Sequence, residues 1–311
     1  MFFYIKVVFL LLSTCQTVKN SIKYNKLYVY ERKYNMIFTK MQCIGNDFLI
    51  LNGFDDIIEV PEDLPLRVCD RHFGIGADGL ALILYSNDAD FRLDLFNPDG
   101  IKSPCNTNIL RCAVKYALDN NIVDKDLISV DTDNGIKYVK AENDERSNLI
   151  INIGEPIFTP HLIPVDYTGD EFIEKVIPVG ANDYVASCVL INSNPCTVIF
   201  TENTEKLNDI EINKIAPFIE KHNVFPNNTN VIFANIEDHN TIQVRCWQMN
   251  SGEVIGCDFG AVAAFVIANY LGKVDDKVSA ELYGGDLKLE LSNDNFVYVI
   301  ASAENVFEIN W

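Results

Sequence analysis

From residue 36 onward, apolar and polar positions alternate in short runs, which predicts a chain built mostly of β-strands. Period-two or short apolar runs fall at 37–42, 48–52, 80–85 and 91–96, then again at 185–192, 197–201, 230–235 and 241–248. The stretch 127–157 reads as short strands between polar turns, and strands at 279–282, 287–291, 297–301 and 306–309 close the chain. Helical patterns are fewer: 61–72, 109–121, 209–222 and the apolar run from Ala261 to Leu271.

The order of these elements repeats. A strand at 91–96 leads through a polar, cysteine-bearing loop into a helix at 109–121. A strand at 241–248 leads through a second such loop into the helix after residue 260. The repeat predicts an α+β fold of two pseudo-symmetric halves, each a curled mixed β-sheet around a central helix. Residues 36–153 plus 301–311 would form the first half and 154–300 the second, with 1–35 as an extension. If the halves pack face to face, the two helix N-termini converge on one cleft suited to a carboxylate or a developing carbanion.

Cys257 ends the second loop at the start of its helix. The positive end of the macrodipole and free backbone N–H groups favour thiolate there, so Cys257 is the first candidate for a reactive atom. The competing reading is a small buried apolar residue. Gly74-Ile75-Gly76-Ala77-Asp78-Gly79 matches G-x-G-x-x-G, but a helix precedes it and a strand follows. A dinucleotide site needs the reverse order, so the motif is set aside.

Composition narrows the function. The sequence is 48% hydrophobic with a formal net charge of −19, the composition of a globular chain. Residues 1–35 carry a net +5, which leaves −24 on the rest and argues against nucleic-acid or membrane partners for the core. Nine cysteines without a C-x-x-C pair, and four histidines without H-E-x-x-H, argue against a disulfide framework and against a metal site. The free thiols fit a reducing, cytoplasmic compartment. Residues 1–15 hold a signal-like apolar block interrupted by Lys6, too short to span a bilayer. Export and an over-extended start with Met36 as the true first residue both fit that stretch, and the thiols favour the second.

Several runs then fall into one pattern: G-N-D-F (45–48), D-R-H-F-G-I-G-A-D-G (70–79), F-N-P-D-G (96–100), R-C-A-V-K-Y (111–116), N-P (194–195), F-P…N (225–230), S-G-E…C (251–257) and Y-G-G-D-L (283–287). From Met36 to its end the chain resembles diaminopimelate epimerase. The resemblance implies cofactor-independent epimerisation at the α-carbon of LL-diaminopimelate, a lysine and peptidoglycan precursor, without pyridoxal phosphate or metal. One cysteine thiolate removes the α-proton and a second thiol delivers one to the opposite face. It also implies a small amino-acid-like ligand and a homodimer.

Carried over residue by residue, Asn46, Asn97, Asn108, Asn194 and Asn230 match substrate-contacting positions, and Cys257 matches one catalytic cysteine. The other catalytic position is Asn106, with Cys105 one residue too early. The family's C-G-N reads Asn106-Thr107-Asn108 and its N-P-H reads Asn194-Pro195-Cys196. Its E-R-G reads Gln248-Met249-Asn250, without the substrate-clamping arginine. Its C-G-S/T-G reads Cys257-Asp258-Phe259-Gly260, which sets a charge and a ring where small donors meet the substrate carboxylate. Three readings follow: an active epimerase using Cys105, an isomerase of altered chemistry using Cys257 and Cys196, and a non-catalytic ligand- or partner-binding relative. The clustering of departures at the site favours the third.

Overall fold

The structure is a computed structural model that describes residues 36–54, 61–142 and 146–311. The extension at 1–35, with its signal-like block, lies outside the described residues. Residues 36–311 form one compact unit.

Among the described residues, eighteen strands make one continuous mixed sheet whose pairing repeats itself. In the first half, β1 (Ile37–Cys43) turns into β2 (Asn46–Gly53), which runs parallel to β3 (Gly79–Leu84). β4 (Phe91–Phe96) pairs with the short β5 (Lys102–Ser103) and runs parallel to β6 (Leu127–Asp131), and β7 (Lys137–Glu142) and β8 (Asn148–Gly154) follow. Beyond β9 (Lys175–Val179), the second half repeats this with β10 (Asn182–Ile191), β11 (Asn194–Phe200), β12 (Asn230–Asp238), β13 (Thr241–Gln248), β14 (Gly252–Val254), β15 (Lys277–Leu282), β16 (Gly285–Leu291) and β17 (Val297–Ala301). Here β11 is parallel to β12, and β13 to β15. β8 and β17, equivalent strands, pair with each other and join the halves. β18 (Glu304–Asn310) returns to pair with β1, as β9 pairs with β10.

Each half encloses one long helix. α2 (Thr107–Asp119) and α5 (Asp258–Tyr270) are buried on nearly all sides, as their apolar sequences require, and both feed one shared core. The short helix α1 (Leu64–Val68) lies between β2 and β3, and α3 (Thr204–Asp209) and α4 (Ile212–Glu220) lie between β11 and β12.

Two expected helices differ. The helix expected at 61–72 is only α1, because the chain folds back and the Ile75 and Gly76 N–H groups take the Val68 carbonyl. That turn carries the G-x-G-x-x-G letters into β3. The helix expected at 209–222 is the shorter α4, and the unexpected α3 ends just before it at Ile210, where the backbone is extended. The Arg245 Nη1 group donates to the carbonyls of Leu207, Asn208 and Ile210, holding the end of α3 open. Among the described residues no helix is long and apolar enough to cross a membrane.

Candidate functional site

The sequence builds the two central helices alike and starts them differently. Asn106 is the N-cap of α2, with its side-chain oxygen accepting from Ile109 N at 3.0 Å. Cys257 is the N-cap of α5 and makes no side-chain cap hydrogen bond. Each cap lies three residues after the strand residue that pairs back to β4 or β13, namely Ser103 opposite Leu95 and Val254 opposite Cys246. Asn106 and Cys257 are therefore pseudo-equivalent, and Cys105 has Gly256 as its counterpart.

The two N-termini meet. Thr107 and Asp258, the first residues of the two helices, touch across the pseudo-dyad, the Thr107 hydroxyl donating to Asp258 Oδ2. Arg111, fully buried one turn into α2, donates to the same Asp258 oxygen at 3.2 Å and to Asn108 Oδ1 at 3.3 Å. Its Nη2 reaches the Val299 carbonyl at 3.4 Å, and its Nε has no partner. The other Asp258 oxygen accepts from Phe259 N at 3.1 Å. Asp258 thus spends its charge inside the protein, at the pole where both helix dipoles point.

Cys257 is only 2% exposed, and its thiol is pushed well above the usual range. Burial is the main cause, followed by the Cys246 sulfur beside it and the Asp258 carboxylate; the approach of the Gly260 N–H offsets these only in part. This corrects the expectation of a thiolate, because the helix dipole is outweighed by loss of water and by a carboxylate on the next residue. Cys196 lies in the same pocket of sulfur, fully buried, and is likewise pushed well up, first by burial and then by Cys257. Gly260 leaves the space they need: a Cβ there would stand 2.0 Å from the Cys246 Sγ and 3.1 Å from the Cys257 Sγ.

Cys105 faces elsewhere. Its thiol donates to the Leu93 carbonyl at 3.6 Å and is pushed up to about 12 by burial, then by Asp94 and Asp133. Those carboxylates belong to an ion cluster with Arg92 and Lys102 on β4 and β5, not to the Asp258 junction.

Four of the asparagines, Asn46, Asn108, Asn194 and Asn230, bond the scaffold through their side chains, and Asn97 does so through its backbone N–H. Asn46 donates to Asp78, which Arg71 also holds at 2.7 Å. Asn97 closes the turn after β4, its N–H on the Ile101 carbonyl at 2.9 Å. Asn194 bonds the Ile191 and Asn192 carbonyls at 3.2 and 3.1 Å, and buried Asn230 ties Pro195 O to Met249 N, each at 2.9 Å. Asn108 is buried against Arg111, whereas Phe259 is half-buried and packs on the shared core.

Two further residues define the junction. Ile44 is held at φ 44°, a conformation a β-branched residue resists, in the turn between β1 and β2. The second half clamps it: a Cβ on Gly256 or Gly284 would come within 2.2 or 2.0 Å of the Ile44 carbonyl oxygen. Arg111 is the other, and its signal in the sequence is a lone charge inside the apolar run from Ile109 to Val114.

Solved structures with this architecture include a probable proline racemase, a hydroxyproline epimerase and a methylitaconate-delta-isomerase. The chain superposes on a phenazine biosynthesis protein of the PhzF family from Enterococcus faecalis with a TM-score of 0.63 at 10% identity, covering 89% of this chain and 99% of that one. A hydroxyproline epimerase from Agrobacterium vitis, with bound trans-4-hydroxy-L-proline, gives 0.57 at 11% identity, covering 89% and 92%. These likenesses establish the fold. Sequence is more specific: the diaminopimelate epimerase family model matches residues 38–159 and 189–306. The diaminopimelate epimerase of Acetivibrio thermocellus is 36% identical over 276 residues, 88% of this chain and 97% of that protein. That of Methanococcus maripaludis strain C6 is 38% identical over 276 residues, 88% and 98%. The chain belongs to the diaminopimelate epimerase family.

Proposed function

We propose that this chain keeps the fold and junction of the diaminopimelate epimerase family but has lost two-thiol epimerisation, and serves as a non-catalytic ligand- or partner-binding relative. The observation that carries this reading is Asn106 standing at the N-cap pseudo-equivalent to Cys257. Inversion at an α-carbon needs a base on one face and an acid on the other. An amide supplies neither near neutral pH, and this amide is already bonded to Ile109 N.

The remaining thiol supports the same reading. Cys257 is a buried, protonated sulfur beside a carboxylate, the reverse of the electropositive, partly open setting that activates a cysteine. Cys105 does not replace the missing thiol, because it is turned to Leu93 and to the carboxylates of Asp94 and Asp133. Met249 stands where the family holds an arginine, so the clamp on a substrate carboxylate is gone as well.

The test is to incubate the full 311-residue chain with LL-diaminopimelate and follow the meso isomer by chiral chromatography. No meso isomer above the protein-free control is expected. Catalytic turnover to the meso isomer would overturn the reading.

A further inference from the structure

The contact between Cys246 and Cys257 serves neither helix capping nor proton transfer. We propose that these two thiols form an oxidative modification site, which closes to a disulfide when hydrogen peroxide, a small neutral oxidant, reaches the junction. The eight described cysteines are free. Three of them are turned to oxygen: Cys105 to the Leu93 carbonyl, Cys188 to the Thr197 hydroxyl and Cys196 to the Asn194 carbonyl. Cys246 and Cys257 are turned to each other. A Cβ on Gly260 would stand 2.0 Å from the Cys246 Sγ and 3.1 Å from the Cys257 Sγ, so the sulfurs are no more than about 5 Å apart, against about 2 Å in a disulfide. The missing side chain of Gly260 leaves the space through which they approach.

The backbone is already arranged for the ring. Cys246 pairs with Val254, Trp247 with Glu253 and Gln248 with Gly252, so the β13–β14 hairpin returns the chain beside Cys246 three residues before Cys257. Closing a ring over residues 247–256 therefore asks for little further ordering. Cys257 follows exposed Ile255 and half-buried Gly256, which sets its sulfur just beneath the surface. Cys246 lies outside the runs that carry the family resemblance, so the pair is not part of the family's two-thiol arrangement.

The step balances. The Cys257 thiolate, approached by the Gly260 N–H, attacks one peroxide oxygen. The O–O bond breaks, the leaving hydroxide takes up a proton, and Cys257 becomes a sulfenic acid. The Cys246 sulfur then attacks the Cys257 sulfur: the S–S bond forms, the S–O bond breaks, and a second water leaves with the thiol proton. Two thiols lose two electrons and two protons, and one peroxide becomes two waters. Burial keeps Cys257 protonated, so closure is slow at neutral pH and quickens as pH rises. The disulfide pins the loop carrying Gln248, Met249 and Asn250 to the first turn of α5. It forms whether or not the chain moves a proton on carbon.

The test treats the full chain with hydrogen peroxide at about pH 8, then denatures, alkylates and digests it without reductant. Trypsin releases residues 246–273 as one peptide holding both cysteines, and cleavage after Glu253 splits it into parts that only a disulfide keeps together. Linked parts are expected, with Cys246 and Cys257 protected from alkylation to the same extent and recovered after dithiothreitol. The unfolding midpoint of the oxidised chain should rise by several degrees and fall back on reduction. Cys246→Ala should show neither a disulfide at Cys257 nor that rise. Absence of the linked parts in a native chain that stays folded overturns the proposal. A disulfide from either residue to another cysteine overturns it too, as does linkage that appears only in urea or a rise in midpoint that persists in C246A.

Discussion

The start of α2 and the start of α5 are one structure written twice, and their differences explain the site. Both helices run 13 residues from a cap three residues beyond a strand pair. At α2 the cap is an asparagine that bonds its own helix, followed by Thr107 and Asn108, with Arg111 buried beneath. At α5 the cap is a sulfur with no cap bond, followed by Asp258, and the position matching Arg111 is Val262. One end thus contributes a buried cation and the other a buried anion, and they neutralise each other across the dyad. Where two matched thiols would face a substrate between them, this chain has an internal ion pair and one protonated sulfur.

Breaking that pair from the α2 side should give the largest effect. Arg111→Met leaves Asp258 buried without a cation and should cost about 3–5 kcal/mol in denaturant unfolding. Replacing both partners, Arg111→Met with Asp258→Asn, should cost less than the single change. A double variant as unstable as the sum of the singles would show that the residues do not act on one another.

The next contrast lies three residues past each cap. Gly260 admits the Cys246 sulfur against α5, whereas its counterpart Ile109 fills the space in the first half. Gly260→Ala should therefore destabilise by about 1–3 kcal/mol, despite the better helix propensity of alanine. Ile109→Val should cost about 0.5–1.5 kcal/mol. Thermal unfolding of the two variants side by side checks the order.

Smaller again is the cap itself. Asn106→Ala should cost about 1 kcal/mol by the loss of the bond to Ile109 N. Asn106→Cys restores a thiol at the matched position but should form no meso-diaminopimelate, because Cys257 remains buried beside Asp258. Turnover in N106C would place the whole defect at residue 106.

The mildest effect, at its onset, follows pH. Burial raises the folded-state pKa of Cys43 to about 11 and of Cys69, Cys105 and Cys188 to about 12, from an ordinary value of 9.0. A group raised in the folded state keeps its full stability contribution below its unfolded pKa and loses it as pH rises toward the folded one. Stability should be insensitive to these thiols below pH 9 and decline from about 9 to 12. Urea midpoints across that range measure it, and flat midpoints above pH 9 would contradict the burial of the thiols.

The fold was legible because it repeats. Alternation marked nearly every strand, and the strand–loop–helix pattern announced both enclosed helices and the meeting of their ends. The end of α3 was not, because it depends on a distant residue. Arg245 on β13 ends α3, and nothing in the run 209–222 reveals it. At the site, the displaced Cys105, Asn106 at the matched position and the intruding Asp258 could be read from the letters. The charge state of Cys257 could not: local sequence gave a helix dipole, while burial by Cys246 and the neighbouring carboxylate came from tertiary packing. Arg111 hid among family-like residues, because its partner lies 147 positions away.

The central claim, that no residue at this junction moves a proton on carbon, is tested most directly in D₂O. The full chain at high concentration is incubated with LL- and meso-diaminopimelate and with a panel of free amino acids, and α-deuterium is read by mass spectrometry. This also detects a one-thiol reaction at Cys257 that returns the proton to the face it left. The account predicts no α-deuterium above the protein-free control in any member of the panel. Protein-dependent deuterium at the α-carbon of any of them would contradict it.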